Sequence, residues 1–144
     1  MIAVDTNVLV YAHRSDSTWH EPAAATVRQL AESPAPWAIA WSCLHEFFSI
    51  VTHPRIYDPS TSTQGALDQM EAWLESPSLV LLHETHGHFD TLQGLVHAGH
   101  ITGARVHDAR IAAICLTNGV RELWTADRDF SRFPDLRTRN PLVA

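Results

Sequence analysis

The 144-residue chain contains no lysine; all ten of its basic residues are arginine. That absence disfavours phosphate-loop nucleotidases and any mechanism built on a catalytic lysine. It reflects either phosphate recognition, to which the guanidinium is suited, or genome composition. There are only two cysteines, Cys43 and Cys115. Both lie inside apolar runs without the paired spacing of a metal site, so they read as reduced core residues of a cytoplasmic protein rather than a disulfide. No apolar run approaches the roughly 20 residues of a membrane span. The N-terminus lacks the basic-then-apolar pattern of a secretory signal. Low-complexity tracts are also missing, and with 45% hydrophobic residues the composition is that of one globular domain over residues 1–144. The net charge of −6 gives no general attraction to nucleic acid.

What the chain does have is a regular alternation of short apolar runs and amphipathic stretches. Residues 2–4 read as a strand buried on both faces, closed by Asp5 and followed by one or two helical turns over 8–14. Pro22 suits the first turn of a helix over 21–31, which Pro34 and Pro36 end. Residues 37–41 read as a second strand. Ser42 is placed to cap a helix over 43–52 whose apolar stripe is Leu44, Phe47, Phe48 and Val51, with Glu46 off that stripe. Thr61 with Gln64 resembles a capping box for a helix carrying Leu67, Met70, Trp73 and Leu74. A third strand over 79–82 precedes a helix capped by Thr85 and closed by Gly99. A helix over 106–118, stopped by Gly119, buries Ile111, Ile114 and Cys115 and carries Asp108 in its first turn. A fourth strand over 122–125 leads directly to Asp127, and a last short strand falls near 136–138. The expected fold class is α/β: a central parallel sheet of four to five strands with helices on both faces.

In such a sheet strand C-termini and helix N-termini share one edge, where ligands bind. Asp5 and Asp127 follow strands, while Glu46 and Asp108 lie in the first turns of helices. The four carboxylates are therefore expected to converge. Two ionised carboxylates about 5 Å apart repel by about 3 kcal/mol at an effective dielectric near 20. Four must protonate in part or hold a cation. Oxygen donors without a cysteine or histidine cluster favour Mg²⁺, with Mn²⁺ as a substitute. A carboxylate-held divalent ion in an open cleft characteristically handles phosphates, which points to phosphodiester hydrolysis.

The segments Val4-Asp5-Thr6-Asn7-Val8-Leu9, the helical Glu46, Val106-His107-Asp108-Ala109-Arg110-Ile111 and Thr125-Ala126-Asp127-Arg128-Asp129-Phe130 resemble the four acidic motifs of PIN-domain ribonucleases. They are most similar to those of VapC-type toxins of bacterial type II toxin–antitoxin pairs. The resemblance covers nearly the whole chain. It implies a Mg²⁺-dependent endoribonuclease with a PIN-like domain, a homodimer, and inhibition by a VapB-type antitoxin whose C-terminal segment enters the acidic cleft. It carries Asp5, Glu46, Asp108 and Asp127 over as metal-binding and catalytic acids. Thr6 and Asn7 would shape the first loop, Thr125 would support the last acid, and Asp129 would be secondary.

Arg14, Arg110 and Arg128 are candidates for holding substrate phosphates, against the alternative of solvated arginines. His86 and His88 lack the ligand number and spacing of a zinc site. His107, beside Asp108, is a candidate contact to substrate or antitoxin, and Trp19 a candidate contact to RNA or a partner. The competing reading is a catalytically silent PIN domain that only binds RNA or protein; four retained acids disfavour it. A haloacid-dehalogenase-type phosphatase needs a second aspartate where Asn7 stands, and a receiver-like domain needs the missing lysine. Flap-endonuclease relatives share the chemistry but carry much more chain around it.

Overall fold

A computed structural model describes residues 1–143 of the chain. The strands are β1 (Ile2–Val4), β2 (Trp37–Ala40), β3 (Leu79–Leu82), β4 (Glu122–Trp124) and β5 (Thr138–Arg139). The helices are α1 (Thr6–His13), α2 (His20–Glu32), α3 (Trp41–Val51), α4 (Thr63–Leu74), α5 (His88–Gly99) and α6 (Val106–Thr117), with 3-10 turns at Gly103–Arg105 and Arg128–Arg132. All five strands are parallel, in the order β3-β2-β1-β4-β5. This is the α/β architecture the alternating pattern predicts.

The order sets the site. From β1 the chain steps outward to β2 and β3, then crosses back to lay β4 against the other side of β1. Right-handed crossovers put the helices of the outward steps on one face and those of the return on the other. The helix packing agrees, with α1 on α2 and α3, α3 on α4, and α5 on α6. Where the direction reverses, between β1 and β4, a crevice opens outside the strand C-termini.

Burial follows from position in the sheet. Every residue of β2 is buried, as are Ala3 and Val4 of β1, so these inner strands read as continuous apolar runs. The edge strand β3 leaves Val80 38% exposed. On α3 the stripe of Cys43, Leu44, Phe47 and Val51 faces the core, and the Phe47 ring meets Trp73 and His13 edge-on at 4.8 and 5.3 Å between centroids. Helix α6 buries Ala109 and residues 111–115. It ends in a left-handed Gly119 (φ 71°), with the Val120 N–H donating to the Cys115 carbonyl at 3.0 Å, a Schellman closure that favours glycine. Cys43 and Cys115 are free thiols in the core.

Several local expectations are corrected. Ser42 does not cap α3, because the helix starts at Trp41 directly behind β2 and Ala40 occupies the cap position. The Ser42 hydroxyl is buried without a partner. Ser62, not Thr61, caps α4, accepting from the Gly65 N–H at 3.0 Å. The Thr61 hydroxyl is instead engaged by His13 and Arg14. Thr85 caps nothing through its side chain; Gly87 (φ 87°) turns the chain into α5. Leu67 and Leu74 are 45% and 39% exposed, since α4 packs on the domain through Ala66 and Trp73. The last strand begins at Thr138, two residues later than its predicted start.

Phe47 has no exposed surface and joins α3 to α1 and α4. Phe47→Ala is expected to lower stability by about 3–5 kcal/mol, read as a lower urea midpoint at unchanged m-value; a loss below 1 kcal/mol would contradict this packing.

Candidate functional site

The site is built where β1 and β4 end. Asp5 follows β1 and is the N-cap residue of α1, its Oδ1 accepting from the Thr6 N–H at 2.8 Å. Its Oδ2 accepts from the Thr125 hydroxyl at 2.7 Å. That hydroxyl also accepts from the Asn7 side-chain amide at 3.2 Å and from the Asp127 N–H at 3.0 Å. One donor and two acceptors are all that a hydroxyl offers, so Thr125 is saturated. Asn7 completes the link, its Oδ1 accepting from the Ala126 N–H at 3.2 Å. Asn7 and Thr125, with Asp5, thus join the end of β1 to the loop after β4, while Thr6 and Asn7 are the first residues of α1 and not of a loop.

Beyond this link stand the outer acids. Asp108 lies in the first turn of α6. Asp127 follows β4 and holds the next turn by accepting from the Asp129 N–H at 2.8 Å. Asp108, Asp127 and Asp129 each present a carboxylate oxygen within 4.8 Å of the others. Asp5 and Glu46 lie outside that triplet but within electrostatic reach of it: both bear on one another, and both are coupled to Asp108. Asp129, expected to be secondary, stands in the tightest group. Its signal was the Asp-x-Asp spacing in the loop, which returns the second carboxylate to the side of the first. Glu46 is exposed and lies in the second turn of α3, not in the first turn as expected, because the helix already begins at Trp41.

The electrostatics follow from burial and like charge. Asp5 is only 7% exposed, and desolvation pushes its carboxyl up to about 6, against the lowering effect of the Thr125 and Thr6 hydrogen bonds; Glu46 and Asp108 raise it further. Asp108 is also shifted upward, first by burial, then by Asp127, Asp129 and Glu46, with Arg105 opposing. Arg105 is a counter-ion that sequence reasoning missed, 3.8 Å from Asp129. Five acids thus share one arginine. The donor set fits a hard divalent cation: all oxygen, no histidine or cysteine in the group. Cys43, whose Sγ lies 3.8 Å from Asp5 Oδ1, has its thiol pushed well above the usual range by burial. It stays protonated and offers no thiolate.

The arginines do not all fall where expected. Arg14 lies past the far end of α1, about 14 Å along the helix axis from Asp5, in a bidentate pair with Asp16 (2.6 and 2.9 Å) and 4.3 Å over the Tyr57 ring. Eight helical residues intervene, which the predicted one or two turns understated. Arg110 is paired with Glu84. Arg128 opens the 3-10 turn after Asp127 and is exposed. Trp19 is 43% exposed, and Trp41, which was not singled out, is 38% exposed at the start of α3. His107 is exposed beside Asp108.

The chain belongs to the PIN-domain family, whose model matches residues 2–136. Among its curated relatives, Ribonuclease VapC43 of Mycobacterium tuberculosis is 36% identical over 142 residues, covering 99% of this chain and 96% of the relative. Two solved structures share the fold. VapBC2 from Rickettsia felis, bound to a DNA fragment from its promoter, superposes with a TM-score of 0.69 at 19% identity, covering 96% of this chain and 98% of that one. VapC20 from Mycobacterium tuberculosis, a sarcin–ricin loop cleaving toxin, does so with a TM-score of 0.65 at 20% identity, covering 91% and 93%.

Two measurements test the site as built. The folded carboxyl of Asp5, near 6, lies above its unfolded value, so its contribution to stability is fully present below about pH 4 and is lost as pH rises to about 6. In EDTA the loss amounts to about 3 kcal/mol. Asp5→Asn should flatten the fall in urea midpoint between pH 4 and 7 relative to the parent; parallel curves would contradict the assignment. Thr125→Val strips three hydrogen bonds from buried groups and should cost about 2–4 kcal/mol, with Thr125→Ser recovering most of it.

Proposed function

We propose that this chain is a Mg²⁺-dependent endoribonuclease toxin, restrained by a cognate VapB-type antitoxin. The observation that carries the reading is the convergence of the Asp108, Asp127 and Asp129 oxygens within 4.8 Å, with Asp5 and Glu46 adding charge behind them. Such crowding calls for a cation rather than a counter-residue, since Arg105 alone answers five acids.

In this reading Asp5, Asp108 and Asp127 hold the metal, Asp129 joins them, and Glu46 completes the field from α3. A divalent ion held there lowers the pKa of a water and offsets charge on a phosphoryl oxygen. The protein's own part is orientation. Asp5 is fixed at both oxygens, by the Thr6 N–H and the Cys43 thiol at Oδ1 and by the Thr125 hydroxyl at Oδ2. Asn7 and Thr125 keep the Asp127 loop in register with the end of β1. The 36% identity to a VapC ribonuclease supports RNA as the substrate. The VapBC assembly among the solved neighbours supports an antitoxin partner. A homodimer and a cytoplasmic location belong to the same reading; no described helix is long and apolar enough to cross a membrane.

Purified protein freed of antitoxin is expected to cut RNA with Mg²⁺ or Mn²⁺ and not in EDTA. Asp5→Asn, Asp108→Asn and Asp127→Asn should each lower the cleavage rate by about 100-fold or more, the loss expected of a group acting directly on transition-state charge, while circular dichroism remains native. Full activity in any of the three would remove that residue from the site.

A further inference from the structure

Next to the acid cluster, on the β5 side, lies a second cleft of about 510 Å³, bordered by Asp127 and Arg128 on one wall and by Thr138, Arg139 and Asn140 on the other, with Ser131 between. Its two arginines differ from those nearer α6. Arg105 and Arg110 are paired with Asp129 and Glu84. Neither Arg128 nor Arg139 has a carboxylate within ion-pairing distance among the described residues. Arg139 is nonetheless held in place. It pairs in register with Trp124 across β4 and β5, so both side chains share a face, and its guanidinium carbon lies 5.4 Å from the indole centroid. Such stacking restrains the guanidinium without neutralising it.

An RNA strand carrying one phosphate to the acids must bring its neighbours along, and the acids repel them. A strand can lie across this surface only where cations sit beside the cluster. Two unneutralised guanidiniums with flanking hydroxyl and amide groups form a set suited to phosphate and sugar contacts, which position a strand without reading its bases. Resting on the ribonuclease reading above, we propose that this cleft is the backbone-phosphate subsite for the RNA strand on one side of the scissile bond, with Arg128 and Arg139 as its positioning residues.

The test uses the full chain and two probes: cleavage of total RNA in Mg²⁺, and, in EDTA so that the probe stays intact, binding of a fluorescein-labelled twelve-nucleotide poly(U) across a salt series. In Arg128→Gln/Arg139→Gln the slope of log affinity against log salt should fall by about 1.4, from about 0.7 for each single-strand phosphate contact, with affinity at low salt down about tenfold. Arg128→Lys/Arg139→Lys should retain the slope. Arg28→Gln/Arg121→Gln alters charge equally at the opposite edge, on the last turns of α2 and just ahead of β4, and should leave both readouts unchanged. If loss of the Trp124 stack unfolds the double variant, Arg128→Gln alone should show half the slope change. A parent that cuts and binds RNA, with slopes equal in all variants, overturns the subsite alone. Equal losses in the Arg28/Arg121 control also overturn it. A parent that neither binds nor cuts RNA overturns the ribonuclease reading and the subsite together.

Discussion

Like-charge repulsion at the end of a parallel sheet is the constraint on which the rest of this structure depends. Carboxylates from β1, α3, α6 and the loop after β4 face a common crevice. Nothing among the described residues neutralises them except Arg105. The fold must hold them together against a force that would separate them. It does so with short bonds at their backs. Thr125 alone connects Asp5, Asn7 and the Asp127 backbone, and it is 3% exposed. Water therefore cannot easily replace it.

Two tendencies oppose one another at Asp5. The N-terminus of α1 and two hydrogen bonds favour the ionised carboxylate. Burial and the neighbouring acids favour the neutral one, and they win, because the carboxyl ends near 6. Even so, a carboxyl near 6 is about nine-tenths ionised at pH 7. The outer acids, Asp108, Asp127 and Asp129, are more exposed. The arrangement grades the acids from a fixed, dry inner one to a wetter outer set.

Much of this was legible in the sequence because hydrophobic pattern and chain order carry it. The apolar runs gave the first four strands, and the rule that strand ends and helix starts share an edge placed Asp5, Asp108 and Asp127 at one end of the sheet. The misreadings lie where tertiary structure overrides local propensity. Thr61 has the makings of a cap, but His13 and Arg14 compete for its hydroxyl. Ser42 stands two residues past the cap position because β2 runs straight into α3. Arg14 looks close to Asp5 in sequence, yet a helix of eight residues carries it away and Asp16 and Tyr57 keep it there. Asp129 was undervalued because only the folded turn brings its carboxylate alongside Asp127. Arg139, on an edge strand of two residues, gave no periodic signal at all.

The strand order has a consequence for how the protein comes into being. Because β4 inserts beside β1, the oldest strand of the nascent chain waits more than 100 residues for one of its two neighbours. Asp5 and Glu46 emerge early, whereas Asp108, Asp127 and Asp129 follow Glu46 by more than 60 residues. An interrupted or nicked chain lacking its last third has no acid cluster to assemble.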